Sequence, residues 1–176
     1  MEDNINKIKS TVVLEMIRVA HEYNVFCEDI VKKETKDILS FYQKVLPLLY
    51  IKSSLLPDIE PSDKSANERY VAEEHWEGIF MNLKEKFSKA DEYWELNENY
   101  DSVKASLAEK LADVYQDTKD FVVLFQKNQI SAKENAVFEI KRLFMVHWGP
   151  RCISAINQIH TVLYQKEINE ENEQIY

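Results

Sequence analysis

Four histidines, two cysteines and a row of aspartates are the residues of this chain whose types suit chemistry. On the first amphipathic segment, His21, Asn24 and Glu28 follow i, i+3, i+7 spacing, which stacks them as one polar ladder on a helix. Asn24 falls close to the centre of the apolar stripe. A buried amide left unpaired costs about 1–3 kcal/mol, so it must find a partner. The ladder is either a hydrogen-bond network that fixes helix register or part of a ligand or metal pocket. His147 lies near the centre of its helix's apolar face, and His160 on the shoulder of the next run. Each is either a packed ring bonded to backbone, or one of a set in which His21, His147 and His160 converge with Glu28 or Glu139. His21, Asn24, Glu28, His147 and His160 are therefore the candidate ligand-binding residues.

Metal and covalent chemistry find little further support. Di-iron bundles carry two Glu-x-x-His pairs and zinc proteases a His-Glu-x-x-His, and neither spacing occurs here. Cys27 and Cys152 lie far apart with no Cys-x-x-Cys, and read as reduced core thiols. Only 2 glycines are present, too few for a phosphate-binding loop, and no nucleophile elbow is found. No catalytic residue, metal or cofactor is assigned. Asp113, Asp117 and Asp120 share a helix, and at about 100° per residue they point roughly 100–160° away from its apolar stripe. They read as a solvated face with Lys110 beside Asp113, or else as a carboxylate surface for a basic partner. Tyr93 and Trp94, next to an irregular stretch, are the aromatics expected to be partly exposed, and mark a candidate partner surface.

Helices must position these groups. Apolar residues recur at helical spacing along most of the 176 residues, and the scarcity of glycine argues against a many-stranded protein. The first helix is expected from about Ser10 to Val31, with Ser10 or Thr11 as its capping hydroxyl and Val13, Ile17, Ala20, Cys27 and Val31 inward. The second runs from Thr35 to Leu55, kinked at Pro47, with Ile38, Phe41, Val45, Leu48 and Leu49 inward. From Pro57 to about Arg69, PDIEPSDKSANER has no period and reads as the one long loop. Trp76 to Phe87 forms a third helix, followed by an irregular stretch around Leu96 to Asp101. A fourth helix starts at Asp101 or Ser102 and carries Leu107, Leu111, Val114, Thr118, Phe121 and Phe125. The fifth begins near Ser131 and breaks or kinks at His147-Trp148-Gly149-Pro150. There Pro150 suits the first turn of a further run through Cys152, Ile153, Ile156, Ile159 and Leu163.

The expectation is an all-α, irregular, mostly antiparallel bundle of five or six helices, one domain over residues 1–166 with an acidic tail, 167–176, expected to fray. With 22 Lys and Arg against 31 Asp and Glu, the net charge is −9 and the lysines form no stripe. Nucleic acid and anionic membrane are thus disfavoured as partners. No window approaches the roughly 20 apolar residues of a membrane span, and MEDNINKIK lacks the apolar core of a signal peptide. A cytoplasmic protein is expected.

The stretches AHEYNVFCED, VLPLLYIKSSLLP, SLAEKLADVYQDTKDFV and HWGPRCISAINQIH, in that order and spacing, resemble a bacterial all-helical family catalogued as a domain of unknown function, number 5063. The resemblance spans Thr11 to Val162 and implies a helical bundle in a bacterial cytoplasm. It brings no activity and so assigns no site residue. A non-enzymatic interaction or regulatory module with a protein partner is the leading expectation. The competing one is a small-ligand or metal-binding bundle built on inward His and Glu.

Overall fold

The computed structural model describes residues 2–97 and 99–165, so the expected tail lies outside the described residues. Six long helices build the bundle after a short first one, α1 (Glu2–Ile8): α2 (Thr11–Glu28), α3 (Thr35–Ser54), α4 (Glu73–Phe87), α5 (Leu107–Phe125), α6 (Ile130–Leu143) and α7 (Gly149–His160). Between α4 and α5 stands a two-stranded antiparallel hairpin, β1 (Glu92–Leu96) and β2 (Ser102–Ser106). No helix among the described residues is long and apolar enough to cross a membrane.

α5 is the axis of the fold: α2, α4, α6 and α7 all pack on it. Bonds between helices show their directions. Lys52 meets Glu15 and Tyr42 meets Cys27, so α3 runs antiparallel to α2. Arg151 meets Asp113 while His147 meets Asp117, so the chain through α7 runs antiparallel to α5. The core gathers Met16, Tyr23, Tyr42, Leu46, Leu49, Leu111, Tyr115 and Trp148.

Sequence accounts for most of the boundaries. Ser10 caps α2 by accepting from Val13 N, as its hydroxyl promised. α2 ends at Glu28 rather than Val31, because the chain tightens into a 3₁₀ turn over Ile30–Lys32. That turn sends Ile30 inward and leaves Val31 exposed. α3 runs through Pro47 as expected, but Leu48 faces solvent, and on α7 so does Ile153. α5 starts at Leu107, not at Asp101 or Ser102, because residues 102–106 pair with 92–96. The sequence Ser106-Leu-Ala-Glu109 supplies the cap: Ser106 Oγ accepts from Glu109 N at 3.1 Å. The buried Asp91 carboxylate takes Ala108 N at 2.7 Å, satisfying a second free donor of that first turn.

The long segment between α3 and α4 is a strap rather than a free loop. Buried Glu134 of α6 accepts from Ser62 N and Oγ, and from Asn4 Nδ2 on α1. Asn135 donates to Asp63 O. Burial works to raise the Glu134 carboxyl, but the Ser62 and Asn4 bonds outweigh it and hold it below the usual range.

The expected break before Pro150 takes the form of a π-helical turn over Phe144–Trp148, with Pro150 in the first turn of α7. The wider turn brings the Phe144 carbonyl under Gly149, where a Cβ would sit 2.1 Å from that oxygen. Gly78, inside α4, has nothing within 4 Å of the same position. The two glycines should respond oppositely to alanine in urea denaturation. Gly78→Ala gains about 0.5–1 kcal/mol from helix propensity, and Gly149→Ala loses about 1–3 kcal/mol or more from overpacking. Equal responses would show that the π turn does not depend on Gly149.

Candidate functional site

On α5, Asp113, Asp117 and Asp120 recur at i, i+4, i+7 and so share one face. The expected solvated face is not what forms: the Asp117 side chain is 0% exposed and that of Asp120 7%. As the axis of the bundle, α5 is covered on this side as well, by the end of the strap, by α4 and by the π turn. Asp120 Oδ1 accepts the backbone N–H groups of Tyr70 and Val71 at 2.7 and 2.9 Å. Arg69 Nη2 donates to Asp117 Oδ1 at 3.3 Å. Its Nε lies 2.9 Å from Asp120 Oδ2, off the N–H line, so that oxygen has a charge partner but no aligned donor. Asp113 accepts from Trp76 Nε1 at 3.0 Å and from Arg151 Nε at 2.5 Å.

His147 completes this cluster, its Nδ1 2.6 Å from Asp117 Oδ2. A carboxylate oxygen accepts, so Nδ1 is the donor, and Nε2 is left as the remaining polar atom of a partly exposed side chain. Burial pushes the Asp117 carboxyl above its usual range, against the hydrogen bond and charge of His147 and the charge of Arg69. Such a pair can orient a base, but no hydroxyl or thiol is bonded to His147 among the described residues.

The ladder of α2 divides between two other sites. Asn24 is buried and meets Thr118 Oγ1 at 2.8 Å, so the expected partner exists. Thr118 has one hydroxyl proton, and the Val114 carbonyl at 2.7 Å claims it. With the Asn24 amide turned so that Nδ2 donates to Thr118 Oγ1, both donors are used. Glu28 joins a chain on the side of α5 nearly opposite Asp117. Its Oε1 accepts from Tyr115 OH at 2.9 Å and from Lys119 Nζ at 2.6 Å. His75 Nε2 lies 3.0 Å from the same Tyr115 oxygen. Burial works to raise Glu28, but the Lys119 and Tyr115 bonds outweigh it and hold it low; burial and then Glu28 raise Tyr115.

His21 is exposed, and so is His160, whose ring leans on Tyr164. Neither points inward as expected. His21, Glu28 and His147 do not meet, and no three His, Cys, Asp or Glu side chains among the described residues gather where they could hold a metal ion. Cys27 and Cys152 are buried free thiols, each pushed by burial up to about 12. That protonation removes them as nucleophiles near neutral pH.

Tyr93 and Trp94 sit on β1 rather than beside an irregular stretch, and strand alternation sends them to opposite faces. Tyr93 OH meets Ser154 Oγ at 2.8 Å on α7, and Glu95 bonds both Ser154 and, at 2.7 Å, Lys110 of α5. Trp94 faces out at 66% exposed, with Leu96 at 65% and Tyr100 of the turn at 83%. The sequence reading missed Arg69, His75, Arg151, Leu96 and Tyr100. The alternation in Glu-Tyr-Trp-Glu-Leu and Ser-Val-Lys-Ala-Ser was the signal for the hairpin.

The acid row makes a testable demand on stability. Asp120→Ala strands two backbone donors of the strap and one guanidinium, and should cost about 3 kcal/mol in urea denaturation while opening residues 67–72 to limited proteolysis. Gln116→Ala, half-exposed on the same helix, should stay within about 0.5 kcal/mol. Equal costs would mean that the row carries no special weight.

Comparison with known proteins gives a family and a fold. A search of curated proteins finds no match. The crystal structure of protein BF1032 from Bacteroides fragilis, a structural genomics target, is similar at a TM-score of 0.82 and 30% identity, covering 90% of this chain and 96% of that one. Residues 7–165 match the family model described as a domain of unknown function, DUF5063. With nearly its whole length matched and the helical fold in common, the chain belongs to the DUF5063 family.

Proposed function

We propose that this protein is a non-enzymatic, cytoplasmic interaction module that contacts a protein partner through its hairpin. One observation carries the reading: Trp94, Leu96 and Tyr100 stand in solvent on a hairpin whose other face is bonded to α5 and α7. Large exposed apolar side chains on a rigid support are what binding hot spots are made of, since little conformational entropy is lost on contact. A two-stranded hairpin is marginal alone, and here Tyr93, Glu95, Ser154 and Lys110 supply its anchorage. The other polar clusters are occupied with internal bonding, and the buried thiols are unreactive, which supports a binding rather than a catalytic role. Small-ligand binding by His21, Glu28 and His147 together has no geometric support, since these side chains occupy separate sites.

The test is capture from native lysate with the described chain as bait. A stoichiometric protein partner should be recovered, and Trp94→Ala with Leu96→Ala should remove it. Ile153→Ala, which trims an exposed residue of α7 instead, should not. Recovery of the bait alone under gentle conditions, or capture unaffected by the hairpin variants, would contradict the proposal.

A further inference from the structure

Beside the hairpin lies an open groove of about 420 Å³, lined in part by Lys84, Lys89 and Lys104 and by Trp94. Its three lysines outnumber its two carboxylates. Asp91 is buried and bonded to Ala108 N and Ser106 Oγ. Glu92 is used by Lys104, 3.0 Å away. Among the described residues Lys84 and Lys89 have no carboxylate within ion-pair distance. Between them α4 ends at Ser88, a non-glycine residue at φ 49° and ψ −119° that also lines the groove. On a protein of net charge −9, this is a local positive surface joined to an exposed indole.

We infer that this groove takes an acidic segment of the partner protein, one carrying an aliphatic or aromatic residue next to its carboxylates. The inference rests on the hairpin reading and adds the chemistry of the partner. Lys84 and Lys89 offer ammonium groups for carboxylates, and Trp94 offers an apolar face for the anchor beside them. A short acidic segment matches Lys84 and Lys89. A nucleic acid carries its charge along its whole length and would meet the acidic remainder of the surface outside the groove.

The probe is a fluorescein-labelled octapeptide of alternating glutamate and leucine, followed by fluorescence anisotropy. A lysine–leucine peptide of the same length and a thymidine oligonucleotide serve as comparisons. The acidic peptide should bind, and the other two should not. Its affinity should fall at least about tenfold in Lys84→Glu with Lys89→Glu, by less in Lys84→Met with Lys89→Met, and also in Trp94→Ala. Added salt should weaken it, as expected for exposed charges. Failure of the acidic peptide to bind, equal binding of the basic one, tighter binding of the oligonucleotide, or indifference to charge reversal would each overturn the inference. If partner capture still depends on Trp94 while the acidic peptide fails to bind, the partner chemistry is wrong and the hairpin reading stands. If neither responds to Trp94→Ala, both fall.

Discussion

Three carboxylates on the face of α5 that the strap, α4 and the π turn cover set the terms for the rest of this structure. Removing a carboxylate from water costs several kcal/mol unless charge and hydrogen bonds replace the lost hydration. Asp113, Asp117 and Asp120 recover that cost from parts of the chain distant in sequence: Trp76 of α4, Arg69 with the Tyr70 and Val71 amides of the strap, His147 of the π turn, and Arg151 of α7. Each partner brings its own element to α5. Removing one acid therefore exposes a fault line between two elements as well as losing a bond.

The same economy repeats elsewhere. The strap has no internal secondary structure beyond one 3₁₀ turn, so its backbone donors need acceptors from outside. Asp120 and Glu134 provide them, each from a helix the strap crosses. Asp91 does so for the first turn of α5, which fixes where the helix begins and hence where β2 ends. Buried acids accepting backbone N–H groups thus join loop, hairpin and bundle. The hairpin is held on its inner face by Tyr93 and Glu95, and its outer face is left to solvent.

Helical rhythm made most of the fold legible. The long elements, the Ser10 cap, the strap's position and the discontinuity before Pro150 could all be read from spacing and punctuation. The acid row could not, because a helical wheel assigns one apolar face and treats charge elsewhere as solvated. α5 is covered on that second side by the strap and the π turn, a tertiary fact that its own sequence does not carry. Arg69 was hidden for the same reason, since it closes an aperiodic stretch whose only local reading is a loop. The hairpin escaped because five-residue strands give weak alternation beside strongly helical neighbours. Of the candidate residues, Asn24 and His147 acquire buried partners, Thr118 for the first and, in place of the expected backbone group, the Asp117 carboxylate for the second. His21 and His160 do not, since both lie on the outer sides of their helices.

The family supplies kinship without an activity, so function has to be argued from surface and charge. On the proposed reading, an interior committed to internal bonding and a hairpin displaying indole, aliphatic and lysine side chains divide the molecule into a scaffold and a contact face. The scaffold claim depends on α5. Native-state hydrogen exchange tests it most directly: the slowest-exchanging amides should lie on α5 between Leu111 and Phe121, opening only with global unfolding. Slower exchange in α3 than in α5 would contradict the account, since it would place the stable centre of the bundle away from the carboxylate row.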